Sequence, residues 1–485
     1  MRLAIARVRL PLSHDAVHAR KRVTKIVVRN LPHPVLLPGI GNTIAPVVQK
    51  AQYSGLQIWG LTPGKEYPVI LVPGIMGTSL SEDGEDGPFH EPWPNALTQP
   101  TPGAVESTLA SLGFNRGGGA LNPSLQPCEL MGQAYWQASA AGLDFYHGMV
   151  VFMQDHMGYR LAKSEQSDYD QGKCVKAPYG PAPKDDCTLR EDLYTFPYDW
   201  RRATTNAASD LKNLVQTIKT RTGAEKVDIV AHSLGGIVSR IYLSQGGAAD
   251  VDTYITLGTP FYGAPKVFSL TRYGQNVASP WKDAERRGFK ETARNMWGVY
   301  VLLPSAAYEQ SAGPFFTYAP DGSGPGMDYG GWTAWMEGLA CSGDFAPQVC
   351  SGDEKFYNAS LVDWARGLHA QIDSWDDTSD DAPWKYAIIG SGNSTLTAMG
   401  DTGQKHISTA IRCEDGDGSV APKSAMGFPP SAHKHVFIKV KHDAMANNVT
   451  VQKQVQLFIP GIEELAPGAS SDHGFTPDLP ACVIP

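Results

Sequence analysis

The stretch KVDIVAHSLGGIVSRIYL, residues 226–243, decides the fold class of this chain. Residues 227–230 form a short apolar run that predicts a buried strand, and Ile237, Ile241 and Leu243 recur at helical spacing after the turn AHSLGG. A strand, a sharp turn centred on a serine, and a helix are the local context of a nucleophile elbow. The sequence therefore predicts an α/β scaffold that presents a reactive serine.

The turn places Ser233 between Ala231 and Gly235, each two positions away. A strained elbow needs such small neighbours, and here alanine replaces the usual first glycine. Gly236 allows the helix to approach the strand closely, and the helix N-terminus directs free N–H groups toward whatever the serine binds. Ser233 is the candidate nucleophile, and an ordinary strand–turn–helix unit is the alternative.

A serine nucleophile needs a histidine base, and thirteen histidines compete for that role. His442 follows the strand predicted at residues 436–440, whereas His433 and His435 precede it. Because active sites of open α/β sheets lie beyond the carboxyl ends of the strands, His442 is the candidate base. His232 adjoins the serine, so we expect its side chain to point away and to pack locally.

The acid of such a site is expected between the serine and the histidine in chain order. Residues 413–420, CEDGDGSV, form a glycine-punctuated segment that follows a strand predicted at residues 386–389. Asp415 and Asp417 are both candidates, and a solvated acidic loop is the alternative. The residues alone do not choose between the two carboxylates.

A second apolar strand is predicted near the start of the folded region. Residues 69–72 lie in the segment YPVILVPGIMGTSL, residues 67–80, and read as a strand that is buried on both faces. Pro73 and Gly74, with Gly77 close behind, predict a turn that lets the backbone approach a ligand.

Composition and charge exclude several classes of protein. The chain has 485 residues, 42% of them hydrophobic, which argues against disorder, and no apolar run approaches the length of a membrane span. Eight basic residues against Asp15 alone give residues 1–30 a charge of +7 and leave −15 for the rest. An acidic body makes nucleic acid an unexpected partner. We expect a soluble or peripheral protein whose basic arm is solvated, contacts anionic lipid, or is a targeting remnant.

Seven cysteines leave at least one without a partner in the chain. Cys174 and Cys187 flank one loop rich in proline, and Cys341 and Cys350 flank another, as local disulfides of an oxidising compartment do. Residues 1–30 lack the apolar stretch of a secretory signal, so the compartment stays open. No cysteine–histidine spacing typical of zinc occurs, and we expect neither a metal nor a cofactor.

Several segments together make the chain resemble the lecithin:cholesterol acyltransferase-like family of α/β-hydrolases, which includes lysosomal phospholipase A and phospholipid:diacylglycerol acyltransferase. Residues 198–201, YDWR, combined with the elbow are more specific than the serine motif alone. The segments, in order, are PVILVPGIMGTSL (68–80), MGYR (157–160), LYTFPYDWRR (193–202), KVDIVAHSLGG (226–236), YITLGTPFYGAPK (254–266), VYVLLPSAAYE (299–309), IIGSGNSTLT (388–397), GDGSV (416–420) and KHDAMANN (441–448).

The resemblance implies a complete catalytic set. It assigns Ser233 as the nucleophile, Asp417 in GDGSV as the acid and His442 as the base. It also assigns the backbone N–H groups of Ile75 and Leu234 to the oxyanion hole. The preference for Asp417 over its neighbour two residues earlier therefore comes from the family and not from the residues.

The resemblance also divides the chain. A basic N-terminal extension at residues 1–62 precedes a hydrolase core, and the aromatic-rich residues 267–383 are expected to form a cap or lid. The alternative is that those aromatic side chains merely fill the cap's own small core. The remaining boundaries are 63–266 for the first part of the core, with insertions at 83–145 and 160–190, then 384–460 for its second part and 461–485 for a tail.

The function that follows is hydrolysis of carboxylic esters of lipids, of the lipase or phospholipase type, through an acyl-enzyme. Transfer of the acyl group to an alcohol is the first alternative. An esterase for non-lipid or polymeric esters and an inactive lipid-binding module are the others. The expected partners are a lipid or ester substrate and a lipid interface, with no nucleic acid, and no oligomeric state follows from the residues.

Overall fold

The computed structural model of the chain divides into two units, Met1–Glu66 and Tyr67–Pro485. The first unit, with the predicted basic arm, lies outside the described residues, as do both predicted cysteine pairs. The described residues are 67–82, 92–96, 99, 101–131, 145–162, 192–274, 282–318, 326–338, 358–376, 378–379, 381–401, 408–427 and 434–472.

A seven-stranded sheet, the central sheet, forms the middle of the second unit in the order β13-β12-β9-β6-β5-β1-β4. Its neighbours pair in parallel, except that β13 runs antiparallel to β12. The strands are β1 (Val69–Val72), β4 (Leu193–Thr195), β5 (Val227–His232), β6 (Val251–Leu257), β9 (Trp384–Ser391), β12 (Lys434–Lys439) and β13 (Ala469–Ser470).

The inner strands of the central sheet are buried along their whole length. Every residue of β1, β5 and β6 is buried, as expected when both faces of a parallel sheet are covered. Each fully buried Val, Leu or Ile side chain stabilises the fold by about 1.5–3 kcal/mol. The predicted strands at residues 69–72, 227–230, 386–389 and 436–440 correspond to β1, β5, β9 and β12, and the prediction of a mostly parallel sheet flanked by helices is confirmed.

Helices cover the central sheet. The longest described helix, Thr204–Thr222, ends at Gly223 with a φ of 71°, and Lys219 and Arg221 in its last turn face the negative end of the helix dipole. The helices are α1 (Pro92–Asn95), α2 (Pro102–Ser111), α3 (His147–Asp155), α4 (Thr204–Thr222), α5 (Leu234–Tyr242), α6 (Lys266–Tyr273), α7 (Lys282–Ala293), α8 (Trp297–Tyr300), α9 (Ala306–Ala312), α10 (Tyr329–Gly338), α11 (Ala359–Ile372), α12 (Pro422–Ala425) and α13 (Val449–Phe458).

A four-stranded sheet, the small sheet, has the order β11-β10-β7-β8 and a hydrophobic core of its own. Its strands are β7 (Phe316–Tyr318), β8 (Gly326–Met327), β10 (Asn393–Asp401) and β11 (Ser408–Gly416). The aromatic members of that core, the aromatic cluster, are Phe268, Tyr300, Tyr308, Phe315, Phe316 and Trp332. Strands from both sides of residue 383 build this sheet, while the predicted cap boundary stays a prediction. A two-stranded sheet of β2 (Thr78–Ser81) and β3 (Gln126–Leu130) completes the described strands.

No described helix combines the length and hydrophobicity that a membrane span requires.

Candidate active site

Ser233 lies at the junction of β5 and α5 with φ 52° and ψ −123°, a conformation that is uncommon for any residue except glycine. Its N–H donates to the Leu257 carbonyl at 2.9 Å, which ties the turn to β6. A Cβ at Gly235 would lie 2.4 Å from the Pro73 carbonyl oxygen, and one at Gly236 would lie 2.0 Å from Thr259 Oγ1. The small residues of the motif are therefore required by contacts on both sides of the elbow.

Three side chains from distant parts of the chain form one hydrogen-bonded row. The Ser233 hydroxyl lies 2.9 Å from His442 Nε2, and His442 Nδ1 lies 2.7 Å from Asp417 Oδ2. Because the carboxylate can only accept, Nδ1 carries the hydrogen and Nε2 accepts from the serine hydroxyl. The structure thus brings together all three side chains that the sequence singled out for catalysis.

The Asp417 carboxylate is held from several directions. Its Oδ1 accepts N–H groups from Ser419 at 2.8 Å and Val420 at 2.6 Å, and its backbone carbonyl accepts the His442 N–H at 3.0 Å. A Cβ at Gly390 would lie 2.4 Å from the Asp417 Cβ, so glycine makes room for the aspartate. These bonds leave Oδ2 directed at the imidazole.

Asp415 is buried as well, but it faces another partner. Its Oδ1 accepts the Gly392 N–H at 2.6 Å, at the turn between β9 and β10. Asp415 lies within β11, whereas Asp417 is the first residue after that strand ends at Gly416. Residues 413–416, which the sequence indicated as loop, are the last residues of that strand. The geometry therefore distinguishes the two carboxylates where the residues alone did not.

The N–H groups of Ile75 and Leu234 have no hydrogen-bond partner among the described residues. Leu234 is the first residue of α5, where no intrahelical acceptor is available, and Met76 beside Ile75 has a φ of 62°. Free N–H groups at a helix start and on a strained loop are the type of donor that an oxyanion hole uses. Their assignment to that role stays a prediction.

The tetrad at residues 198–201 supports the loop that carries Ile75. The Tyr198 hydroxyl donates to the Pro73 carbonyl at 3.0 Å, and Trp200 Nε1 donates to the Thr78 carbonyl at 2.9 Å. Asp199 and Arg201 form an ion pair, with Asp199 Oδ2 and Arg201 Nη2 2.8 Å apart. Trp200 therefore holds the chain just after this loop through a hydrogen bond as well as by its buried ring.

Lys266 supports the segment that carries the aspartate. Its Nζ donates to Ser419 Oγ at 3.1 Å and to the Gly418 carbonyl at 3.3 Å. Burial lowers the pKa of Lys266, while the carboxylates of Asp417 and Asp443 act in the opposite direction. Its position at the end of YITLGTPFYGAPK gave no sign of this contact, since the two segments are far apart in the chain.

His232 does not pack only locally, contrary to the expectation from its neighbourhood. Its Nε2 lies 3.0 Å from the His442 carbonyl oxygen, and its Nδ1 lies 2.9 Å from the Tyr146 hydroxyl. Burial, with a smaller effect of the nearby His442 ring, lowers the pKa of His232 to about 3. The side chain reaches the base because β5 and the turn after β12 end at the same edge of the central sheet.

Of the other two histidines weighed for the base, His435 lies half-buried in β12, and His433 lies outside the described residues. No group of three or more side chains suited to a metal ion occurs within the described ranges.

Comparisons with known proteins agree with the motifs. A sequence model of the family described as Lecithin:cholesterol acyltransferase matches residues 188–314. The chain is 21% identical over 449 residues to Lecithin-cholesterol acyltransferase-like 4 of Arabidopsis thaliana, which covers 81% of this chain and 75% of that protein. It is 32% identical over 78 residues to Phospholipase A(1) LCAT3 of the same plant, or 15% of this chain and 17% of that protein.

Solved structures with similar coordinates include a chain of the Tle4–Tli4 complex, with a TM-score of 0.49 and 16% identity over 82% of this chain and 99% of that one. The mature form of Bacillus licheniformis lipase BlEst2 aligns with a TM-score of 0.31 and 13% identity over 81% of this chain and 92% of that one. The sequence matches show that this chain is similar to the LCAT family, most clearly over residues 188–314, and its mostly parallel central sheet flanked by helices is an α/β-hydrolase fold.

Proposed function

We propose that this protein is a serine hydrolase that cleaves carboxylic esters of lipids through a Ser-His-Asp triad. The observation that carries the proposal is the continuous row from the Ser233 hydroxyl through His442 to Asp417, with heavy-atom distances of 2.9 and 2.7 Å. The row starts on a strained turn between a strand and a helix, which is the context that this chemistry requires.

The first half of the reaction is acylation. His442 takes the proton of Ser233 as the hydroxyl oxygen attacks the ester carbonyl, and Asp417 stabilises the imidazolium that forms. The N–H groups of Ile75 and Leu234 donate to the tetrahedral oxyanion, an effect worth about 3 kcal/mol per donor. The alcohol then leaves with the proton from the imidazolium, and the acyl group stays on the serine.

The second half resolves the acyl-enzyme. Water is deprotonated by His442 and attacks the acyl carbonyl, and the serine recovers its proton as the free acid departs. An alcohol in place of water would give a new ester by the same steps. Hydrolysis is the simpler proposal because it needs no second substrate site.

The family match supports lipid esters as the substrate class. The matched segment, residues 188–314, includes the elbow and the start of the aromatic cluster, and one relative with similar sequence is named as a phospholipase. Phe268 and Tyr300 belong to both the matched segment and the aromatic cluster.

Acyl transfer to an alcohol is the second candidate, because the matching family model and the relative with the longer alignment both carry acyltransferase in their names. The two candidates share every step up to the acyl-enzyme. They differ only in whether water or an alcohol attacks it.

The experiment starts with labelling by a fluorophosphonate. Folded wild-type protein is expected to become labelled, and Ser233→Ala is expected to remain unlabelled. Absence of labelling in the folded wild type would favour an inactive binding module and overturn the proposal. Ser239 offers a matched control, since it lies in α5 with its hydroxyl bound to the Gly235 carbonyl, and Ser239→Ala should still be labelled.

The substrate class is tested on the active protein. A series of nitrophenyl esters is expected to show a preference for long acyl chains, whereas a short-chain optimum would support an esterase for non-lipid esters. Incubation with labelled phospholipid, with and without added alcohol, then separates hydrolysis from acyl transfer. Free acid as the main product in both cases supports the hydrolase, and a new ester as the main product supports the acyltransferase.

A further inference from the structure

Two loops have to keep their relative position for the proposed reaction. The first is residues 73–77, here called the oxyanion loop, which carries the N–H group of Ile75. The second is the turn that begins at His442 after β12. They are separated by most of the length of the second unit, and the base can serve the serine only while both stay in register with the elbow.

A buried row of hydrogen bonds runs between these two loops. The Gly74 N–H donates to the Tyr146 hydroxyl oxygen at 2.7 Å, and that hydroxyl lies 2.9 Å from His232 Nδ1. On the other side of the ring, His232 Nε2 lies 3.0 Å from the His442 carbonyl oxygen. A carbonyl can only accept, so Nε2 carries the hydrogen and Nδ1 accepts from Tyr146.

The direction of every bond in the row is therefore determined. Gly74 donates to Tyr146, Tyr146 donates to His232, and His232 donates to His442. A neutral His232 is required, because a second proton on Nδ1 would turn the acceptor into a donor and break the contact with Tyr146. Burial keeps the ring neutral, as described above.

The glycines of the oxyanion loop let its backbone come close enough to Tyr146 and His232 for these hydrogen bonds to form. A Cβ at Gly74 would lie 2.8 Å from the Ser233 Cβ and 3.2 Å from His232 Nδ1, and one at Gly77 would lie 2.7 Å from the Tyr146 hydroxyl oxygen. The loop, the elbow and both side chains are thus packed against each other without space for a side chain between them.

A second contact ties the same segment to the His442 side of the site. The Gly148 N–H, two residues after Tyr146, has no intrahelical acceptor at the start of α3 and donates to Asn447 Oδ1 at 2.7 Å. The segment around Tyr146 therefore contacts the oxyanion loop at one point and the residues after His442 at another.

We propose that Tyr146 and His232 are positioning residues for acyl transfer, acting as a neutral relay that holds the oxyanion loop and the His442 turn in register with Ser233. Neither side chain forms a hydrogen bond with a reacting atom, although the His232 ring packs against the His442 ring with centroids 4.9 Å apart. The inference rests on the proposed serine chemistry and names two residues that the triad and the oxyanion hole do not include.

The test measures kcat and KM with a nitrophenyl ester, together with the rate of fluorophosphonate labelling and the thermal unfolding temperature. Tyr146→Phe removes the hydroxyl and keeps the ring. We expect kcat and the labelling rate to fall about ten- to a hundredfold with KM within about twofold, because a small misplacement of the reacting groups has effects of this size.

Two substitutions of the histidine separate the two halves of the relay. His232→Gln can place an N–H near the position of Nε2 and so retain the bond to His442, whereas His232→Asn can retain only an acceptor near Nδ1. We expect the glutamine variant to recover part of kcat and the asparagine variant to recover none. A role limited to packing would not distinguish these variants by kcat.

Tyr242→Phe is the matched control. Its hydroxyl donates to Asp250 Oδ2 at 3.2 Å, on a buried tyrosine at the end of α5 that is remote from Ser233. We expect a similar change in unfolding temperature for this variant and for Tyr146→Phe, with unchanged kcat only in the control. Wild-type kcat in folded Tyr146→Phe and His232→Asn would overturn the relay while the serine chemistry stands, and a wild type that is neither labelled nor active would overturn both.

Discussion

The central sheet and the small sheet are built in different ways, and both supply the candidate site. In the central sheet, Ser233 directly follows β5 and His442 comes three residues after the end of β12, and the carboxyl ends of both strands share one edge. In the small sheet, β11 returns from the hairpin with β10 and runs straight into Asp417. The proposed nucleophile and base therefore follow strands of the central sheet, and the proposed acid follows a strand of the small sheet.

Because of this difference, we expect the small sheet to help hold the proposed acid in place. The Met399 N–H of β10 donates to the Phe315 carbonyl at 2.9 Å, so the aromatic cluster is connected to the hairpin that carries the acid. A change in that cluster is expected to reach Asp417 through the backbone of the hairpin. The predictions that follow test this connection, from the largest expected effect to the smallest.

The largest expected effect on kcat distinguishes Asp417, just after β11, from Asp415 within it. Asp417→Asn should lower kcat by about four orders of magnitude, because the amide no longer holds the required tautomer of His442. Asp415→Asn keeps an acceptor for the Gly392 N–H and should leave kcat within about tenfold. Steady-state hydrolysis of a nitrophenyl ester measures both, and the reverse order would transfer the acid role to Asp415.

A matched pair of phenylalanines compares the two layers directly. Phe315 lies in the aromatic cluster, and Phe458 stacks on Tyr386 of β9 with ring centroids 4.1 Å apart. Substitution of either by alanine should lower the free energy of unfolding by about 3–5 kcal/mol. Chemical denaturation measures this loss.

The same two variants should differ in the rate at which Ser233 is labelled. Phe315→Ala is expected to slow fluorophosphonate labelling of Ser233 under conditions in which both variants are folded, since the acid is attached to the small sheet. Phe458→Ala is expected to be labelled at the wild-type rate. Equal labelling rates in the two variants would show that the small sheet does not position the acid.

The buried His232 predicts a pH dependence of stability. Its pKa is about 3 in the folded protein and about 6.5 when unfolded, so only the unfolded chain binds this proton between those values. The contribution of His232 to stability is therefore complete above pH 6.5 and is lost as the pH falls toward 3, by about 1.4 kcal/mol per pH unit.

Denaturant titrations at pH 7 and pH 5 measure this loss. His232→Gln removes the titrating ring, so the variant should show a smaller difference between the two pH values than the wild type does. An identical pH dependence in both proteins would mean that His232 titrates normally in the fold.

Two glycines in helices of the two layers should respond in opposite directions. Gly236→Ala in α5 puts a Cβ 2.0 Å from Thr259 Oγ1 and should destabilise the protein by about 1–3 kcal/mol. Gly367→Ala in α11 meets no atom within 4 Å and should stabilise it by about 0.5–1 kcal/mol. Unfolding midpoints compare the two, and stabilisation by Gly236→Ala would mean that the elbow helix can move away from β6.

The residue pattern by itself determined the units that form within a short stretch of chain. β5, the elbow at Ser233 and the helix after it could be predicted because an apolar run, a glycine-containing turn and a helical periodicity lie within about twenty residues, and β1 could be predicted from an apolar run of its own. His442 could be chosen as the candidate base for a related reason. The sequence shows whether a residue comes before or after a predicted strand, and active sites lie beyond the carboxyl ends of strands.

The tertiary structure alone decided which distant groups meet. The residues alone left Asp415 and Asp417 open; in the fold Asp415 accepts the Gly392 N–H within β11, whereas Asp417 follows the strand and lies 2.7 Å from His442 Nδ1. The contacts of Tyr146 with Gly74 and His232, and of His232 with His442, join segments with no shared pattern. Such contacts arise from the packing of whole layers, because a hydrogen bond between residues far apart in the chain leaves no periodicity along it.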